Sequence, residues 1–184
     1  MGTGQLLATT DINSSAPQSF YGILDGTAGV FSTVSSPITR ADLTPITNVQ
    51  TGITLSATSK GWYLDLGAGG TTANPVGWRV IAPPVAYNGV VAFASMLPQG
   101  GDCSASGQSR VYVMNFTTGK SVLSPAAPYE TFDTSVTDLR FISLGGKPHL
   151  IAGDSDGNIR KVGADLASGA GVRLLNWREL PTVE

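Results

Sequence analysis

The stretch that decides the fold covers residues 83–120 and reads PPVAYNGVVAFASMLPQGGDCSASGQSRVYVMNFTTGK. Two runs in it, Val90–Met96 and Arg110–Asn115, are rich in β-branched and aromatic residues, which is typical of strands. Pro83-Pro84 precedes them, Asn88-Gly89 is a preferred pair for a tight hairpin turn, and a Thr-Gly pair follows. This order matches a four-stranded propeller blade: an inner strand after the prolines, a turn, two antiparallel strands, and a turn to the outer edge.

Similar short runs occur on both sides of this stretch, each bounded by Gly, Pro, Asn, Asp or Ser. The predicted strands are Phe20–Leu24, Ile53–Ala57, Trp62–Leu66, Val90–Ala94, Val111–Phe116, Leu139–Leu144, His149–Ala152 and Ile159–Val162. The two helical candidates, Thr39–Leu43 and Ala164–Ala167, are too short to be stable alone. Parallel strands need long crossover connections, so the predicted class is all-β with antiparallel sheets.

The strand–loop–strand unit recurs in loose form elsewhere in the chain. Leu6–Thr9 with Ser19–Asp25 is one copy, and His149–Gly153 with Asn158–Val162 is another. At about 40–45 residues per blade, the chain holds about four blades. Ring closure usually takes more blades, so residues 1–184 are predicted to form a single all-β domain that is a partial propeller. A β-sandwich with the same strand spacing is the alternative.

A partial ring leaves a sheet edge unpaired, and such an edge recruits another strand. We expect Val172–Leu175 to pair back onto the blade that holds Ile159–Val162. Trp177 would then anchor the end of the chain through its apolar ring.

The composition excludes several classes of partner and site. Charged residues make up 13% of the chain and the net charge is −2, which argues against a nucleic-acid surface or a polybasic membrane anchor. The most apolar stretch, Val80–Leu97, is interrupted by proline and glycine and is not predicted to span a membrane. The N-terminus lacks a signal-peptide pattern. One cysteine, Cys103, excludes an internal disulfide, and one histidine, His149, excludes sites that need two imidazoles.

Residues 153–157 carry two motifs that could indicate chemistry. The pattern G-x-S-x-G around Ser155 is that of a nucleophile elbow, but a strand-like run follows where the elbow needs a helix. His149 also precedes the serine, against the order of that family, so no catalytic residue and no enzyme activity is predicted. Asp154, Asp156 and Asn158 alternate and are calcium candidates, since three oxygens could face one ion. An Asp-Gly hairpin turn is the favoured interpretation, with no metal site.

Two further patterns receive structural interpretations. Gly119-Lys120-Ser121 resembles the end of a phosphate-binding loop, but Met114 stands where that loop requires glycine, so a turn is predicted. Trp62, Trp78 and Trp177 could provide a platform for sugar rings. They lie far apart in the sequence, so packing in the core is the favoured role.

Six motifs follow one another along the whole chain. They are Gly2–Leu7, Gln18–Asp25, Ile38–Leu43, Gly61–Leu66, Leu97-Pro98 with Asp102-Cys103, and Asn176–Leu180. As an ordered set they resemble the C-terminal part of PilY/PilC-type type IV pilus biogenesis proteins. The resemblance implies that this chain is the C-terminal portion of a longer β-propeller.

The resemblance also implies a location and a role. A protein of this kind is exported to the surface of a Gram-negative bacterium, at the outer membrane or the pilus tip. It supports fimbrial biogenesis, pilus extension against retraction, twitching motility and adhesion, without enzyme activity. The implied partners are minor pilins or other tip components and a host or abiotic surface. Family members carry a calcium loop upstream of the segment resembled here, and that loop is missing from this chain, so no cofactor is predicted.

Two alternatives come from other functional classes. One is a fragment of a quinoprotein-dehydrogenase-like propeller enzyme, which would bind a quinone through calcium and basic residues. The other is a carbohydrate-binding β module that uses Trp62, Trp78 or Trp177. A quinone absorbance spectrum and a glycan array would separate these hypotheses from the first.

Overall fold

The computed structural model describes residues 1–4, 6–7, 9–24, 37–67, 77–99, 106–123, 127–144 and 147–163. The strands are β1 (Gln18–Ile23), β2 (Thr44–Pro45), β3 (Gly61–Leu66), β4 (Val85–Tyr87), β5 (Val90–Gln99), β6 (Ser106–Asn115), β7 (Glu130–Phe132), β8 (Val136–Leu144), β9 (Lys147–Asp154) and β10 (Ile159–Val162). A single helical turn, α1 (Thr9–Ile12), precedes β1, and a 3-10 turn at Arg40–Asp42 precedes β2. The predicted all-β class is confirmed.

The strands form three sheets, which we call the N-terminal sheet (β1-β3-β2), the central sheet (β4-β5-β6-β7) and the C-terminal sheet (β10-β9-β8). Strand pairs are antiparallel except for β2 and β3, which are parallel over Thr44 and Pro45. The prediction of purely antiparallel sheets is therefore wrong at this edge, where residues 46–60 return the chain in the same direction. The described residues do not close into a ring or a barrel.

The central sheet is a meander in chain order, as residues 83–120 predict. Tyr87 pairs with Val90, and the two residues between them, Asn88 (φ 50°) and Gly89 (φ 75°), form the predicted tight turn. β5 and β6 then pair over ten residues on each strand. The edge strand β7 begins only at Glu130, eleven residues after Gly119 of the Thr-Gly turn.

The central sheet is buried on both faces. Phe93, Tyr112 and Met114 belong to a core cluster with the N-terminal sheet, whereas Ala92 and Val113 belong to a cluster with the C-terminal sheet. Strands covered on both sides read as nearly continuous apolar runs, which explains why β5 and β6 show so little polar alternation. The described residues thus form a stack of three sheets with two separate cores.

The two cores differ in composition. The first holds the large rings, with Phe20, Trp62 and Trp78 packed around Phe93. Phe20 and Phe93 are stacked with ring centroids 3.8 Å apart. The second is aliphatic apart from Phe132, which comes from β7. Burying this apolar surface from water is what holds each pair of sheets together.

Two predicted strands are wrong. In the predicted strand Leu6–Thr9, the described residues Leu6 and Leu7 form no strand and Thr9 begins α1. The buried Arg79 guanidinium donates to the carbonyl oxygens of Asp11 (2.5 Å) and Ser14 (2.8 Å) and so fixes a compact turn. Ile53–Ala57 has no ladder partner. Its apolar side chains cover the edge of the first core as an irregular segment, tied at one end by the Ile53 N–H, which donates to Thr118 O at 2.8 Å.

Other predictions have different outcomes. Thr39–Leu43 contains only the 3-10 turn, as its length suggested. Ala164–Ala167, Val172–Leu175, Trp177 and Cys103 lie outside the described residues, so their predicted roles stay predictions. Within the described part of the chain, no helix is long and apolar enough to cross a membrane.

Candidate functional site

The calcium candidates form the tip of the β9–β10 hairpin. Asp154 Oδ1 accepts hydrogen bonds from the backbone N–H groups of Asp156 (3.1 Å) and Asn158 (2.8 Å). Its other oxygen accepts from the Thr134 hydroxyl at 3.1 Å and lies 3.5 Å from a guanidinium nitrogen of Arg160. Both carboxylate oxygens are therefore engaged in closing the turn and joining it to its neighbours.

The charge state of Asp154 agrees with this role. Burial of the carboxyl raises its pKa, but the hydrogen bonds from Asn158, Thr134 and Asp156 outweigh burial and hold the pKa below its usual range. Gly157 alone in the tip has positive φ, at 82°, and its N–H donates to Asp154 O at 3.1 Å. The Asp-Gly pair thus sits in a three-residue hairpin loop, not a two-residue turn. Among the described residues no group of three or more His, Cys, Asp or Glu side chains comes together.

Ser155 lies at the exposed tip of the same hairpin. A strand follows it, so the strand–turn–helix context of a nucleophile elbow is not present. His149 lies in β9, several residues before the tip, and its Nδ1 is buried. The prediction of a hairpin at this motif is confirmed, and the absence of enzyme activity stays a prediction.

Two of the three tryptophans are core residues. Trp62 is 0% exposed and Trp78 is 2% exposed, and both belong to the first core cluster. The Trp62 indole N–H donates to Phe116 O at 2.7 Å, so its polar edge is also engaged. A sugar platform built from these two rings is excluded, since a ligand could not reach their faces.

A cleft of about 580 Å³ opens between the N-terminal and central sheets. Small-molecule sites generally measure about 300–1,000 Å³. The aromatic and charged side chains that line it come from β3, β6 and the segment before β7: Tyr63, Asp65, Arg110, Tyr112 and Tyr129. We call this the tyrosine cleft.

A row of rings connects the first core to the tyrosine cleft. Phe93 stacks on Tyr112 with centroids 4.7 Å apart and planes inclined by 6°, and Tyr112 meets Tyr129 at 5.3 Å. Burial raises the pKa of Tyr112 to about 12, so its phenol is a neutral hydrogen-bonding group at ordinary pH. Each ring of this aromatic wall therefore packs against its neighbour.

Arg110 is a buried cation, 6% exposed, at the inner wall of the cleft. Its guanidinium lies between two rings, 4.0 Å from the centroid of Trp78 and 4.4 Å from that of Tyr129. Such stacking stabilises a partly desolvated guanidinium and fixes its orientation. Arg110 lies on the same face of β6 as Tyr112 and Met114, which pack against the N-terminal sheet. The first core therefore ends at Arg110, where a charged side chain replaces the apolar ones.

The outer lip of the cleft is a polar network around Arg40. One guanidinium nitrogen donates to both carboxylate oxygens of Asp65, at 2.5 and 2.6 Å, and Ser19 donates to the same carboxylate at 2.6 Å. The guanidinium also lies 3.9 Å from the Tyr63 ring centroid and donates to the Tyr21 hydroxyl at 3.2 Å. Hydrogen bonding to Asp65 raises the pKa of Arg40 further above its ordinary value. Asp65 is thereby fixed at the rim.

A second, smaller cleft of about 270 Å³ lies beside α1. Its charged residues are Asp11 and Arg79, and the Arg79 guanidinium donates to the carbonyl oxygens of Gly77, Asp11 and Ser14. These bonds fasten the N-terminal segment to the central sheet, which is a structural role.

None of the residues that line the tyrosine cleft was predicted from the sequence as a site residue. One local signal existed: in the block Gly61–Leu66, Tyr63 and Asp65 alternate with the buried Trp62, Leu64 and Leu66 and so face away from the core. Nothing local could indicate that Arg110 and Tyr129 would lie opposite them.

Comparison with protein-family models, with curated proteins and with solved structures finds no match to this chain. The resemblance to PilY/PilC-type proteins therefore stays a prediction from the sequence.

Proposed function

We propose that this chain is a non-enzymatic structural and interaction domain of a type IV pilus biogenesis protein, and that it forms part of a β-propeller. In this role it is exported to the cell surface or pilus tip and contacts minor pilins. It supports pilus extension and attachment.

The proposal depends on one observation: three of the motifs that carry the resemblance contact one another in the structure. Gln18–Asp25 provides Ser19 and Tyr21, Ile38–Leu43 provides Arg40, and Gly61–Leu66 provides Tyr63 and Asp65. These five side chains form the single network at the rim of the tyrosine cleft. Motifs that were matched only by their order along the chain thus belong to one physical unit, which supports a common origin over chance similarity.

The stacking of sheets supports the propeller part of the proposal. Neighbouring blades of a propeller are four-stranded sheets arranged radially, so their faces pack together and their first strands lie closest to the axis. Here β8 begins the C-terminal sheet and lies against β4 and β5, with Tyr87 and Phe141 in ring contact at 5.7 Å. The four-stranded meander β4–β7 is the blade unit that the sequence predicts.

The proposal is tested in the bacterium that encodes the protein. Deleting residues 1–184 from the encoded protein should abolish or strongly reduce surface pili, twitching and attachment. Complementation with the wild-type gene should restore all three. A Ser155→Ala complement should restore them equally, because the proposed role uses no serine nucleophile.

Two results would contradict the proposal. Wild-type piliation and attachment in the deletion strain would show that the segment has no part in pilus function. Failure of the Ser155→Ala protein, when it is exported and folded at wild-type levels, would point to hydrolase chemistry at the hairpin tip.

A further inference from the structure

The tyrosine cleft combines the two kinds of surface that a sugar ring presents. A pyranose has an apolar C–H face, which aromatic rings bind, and an edge of hydroxyl groups, which need donors and acceptors in pairs. The cleft offers the partly exposed rings of Tyr63 and Tyr129 together with the carboxylate of Asp65, and the buried Tyr112 and Arg110 lie behind them. Both requirements are therefore met within one volume.

The lining is arranged before any ligand arrives. Tyr129 is held between Arg110 at 4.4 Å and Tyr112 at 5.3 Å, and Tyr112 is itself stacked on Phe93. Asp65 is fixed by two short hydrogen bonds from Arg40. Groups that are already ordered lose little conformational entropy on binding, which favours affinity for a weakly binding polyol.

We propose that the tyrosine cleft is a saccharide-binding site, in which a pyranose ring stacks on Tyr63 or Tyr129 and its hydroxyl groups bond to Asp65. This inference rests on the cleft alone and does not depend on the pilus role. The sugar would bind to tyrosines in a cleft between two sheets and not to Trp62 or Trp78, which are buried.

The charge balance argues against other occupants. Asp65 is neutralised by Arg40, and Arg110 is enclosed between two rings, so the cleft presents no open cationic surface to a polyanion. A purely apolar ligand would leave the exposed part of the Asp65 carboxylate without compensation for the water that it displaces. A proline-rich peptide would also find aromatic walls, but it offers few hydroxyl partners for a carboxylate. A saccharide provides both an apolar face and hydroxyl groups.

The test measures glycan binding by the purified chain. A glycan array identifies the best-bound glycan, and calorimetric titration then gives its Kd for the wild type and for two cleft variants, Asp65→Asn and Tyr129→Leu. We expect each variant to weaken binding by about tenfold or more. Asp65→Asn is nearly isosteric on an exposed ion pair, so it leaves the fold intact.

Each variant has a matched control on the far side of the molecule. Asp138→Asn removes a carboxylate from another exposed ion pair, with Arg140 at 2.8 Å, and Tyr87→Leu removes an exposed tyrosine from β4. Both controls should bind the glycan within about twofold of the wild type. Thermal melts of all four variants confirm that they are folded.

Three outcomes would overturn the inference. The first is the absence of binding on the array together with the absence of saturation-transfer NMR signals at millimolar concentrations of neutral, N-acetylated and acidic sugars. The second is wild-type affinity in both cleft variants. The third is binding of proline-rich peptides, and of no glycan, on arrays, when the same cleft variants abolish that binding.

Discussion

The two faces of the central sheet carry different chemistry although they are made by the same two strands. Toward the N-terminal sheet, β5 and β6 present Phe93, Tyr112 and Arg110, and the interface ends in the tyrosine cleft. Toward the C-terminal sheet they present small aliphatic side chains such as Ala92 and Val113, which pack in the second core. Large rings hold two sheets far enough apart for a cleft to remain at the end of their interface, whereas small aliphatic side chains allow two sheets to pack closely. One face therefore opens into a cleft, whereas the other holds two sheets together.

The largest effect should come from removing the ring at the centre of the aromatic face. Phe93→Ala deletes a fully buried ring that stacks on both Phe20 and Tyr112, so we expect a loss of about 3–5 kcal/mol in the free energy of unfolding. Val113→Ala, on the aliphatic face, removes fewer atoms and should cost about 2 kcal/mol. Urea denaturation measures both values. Equal losses would show that the two faces do not differ in packing energy.

Next in size is a contrast between two glycines in turns at the two interfaces. Gly119 (φ 61°) and Gly157 (φ 82°) both adopt left-handed backbone, but a Cβ on Gly119 would collide with the Ile46 side chain, whereas Gly157 has nothing within 4 Å. Gly119→Ala should cost about 2–4 kcal/mol, and Gly157→Ala about 1 kcal/mol. The melting temperatures of the two variants test the contrast. A larger fall in melting temperature for Gly157→Ala than for Gly119→Ala would contradict the open surroundings of Gly157.

A third effect appears only in alkali. The pKa of Tyr112 is about 12 in the folded state and about 10 in unfolded chains, so stability is complete below pH 10 and falls as the pH rises toward 12. The loss should reach about 2–3 kcal/mol in the wild type and be absent from Tyr112→Phe. Tyr87→Phe, at an exposed ring, is the control. Parallel pH profiles for wild type and Tyr112→Phe would contradict burial of this phenol.

The smallest effect should be found at the C-terminal sheet in acid. The pKa of Asp154 is lowered in the folded state, so its contribution to stability is present above about pH 4 and is lost as the pH falls through the lowered value. Asp154→Asn keeps an acceptor for the turn and should flatten this acid limb. Ser155→Ala, one residue along, should keep it. Acid denaturation curves followed by circular dichroism distinguish the two variants.

The tip of the β9–β10 hairpin shows how far local pattern reaches. The alternation of Asp154, Asp156 and Asn158 indicated either an ion or a turn, and the sequence favoured the turn. The contacts that engage the Asp154 carboxylate come partly from Thr134, which is distant in sequence. A local pattern therefore identified the turn, while its anchoring depended on a neighbour that the pattern does not contain.

The segment Leu6–Thr9 shows where local pattern fails. Its composition allows a strand, but a strand needs a partner strand. Just after this segment, the Arg79 guanidinium donates hydrogen bonds to the carbonyl oxygens of Asp11 and Ser14 and stabilises a helical turn. Ile53–Ala57 fails for a related reason, since it covers the core without a neighbouring strand to pair with. Propensity is a weak prior that tertiary contacts override.

The sequence by itself determined the all-β class, the Asn88-Gly89 turn and the two strand-forming runs in β5 and β6, because dihedral preference and side-chain propensity act within a few residues. Only the tertiary structure decided that Asp65 and Tyr63 would face Arg110 and Tyr129 across a cleft. That juxtaposition depends on how two sheets are positioned against each other, and the position is fixed by the packing of large buried rings, not by any local preference of the residues that line the cleft.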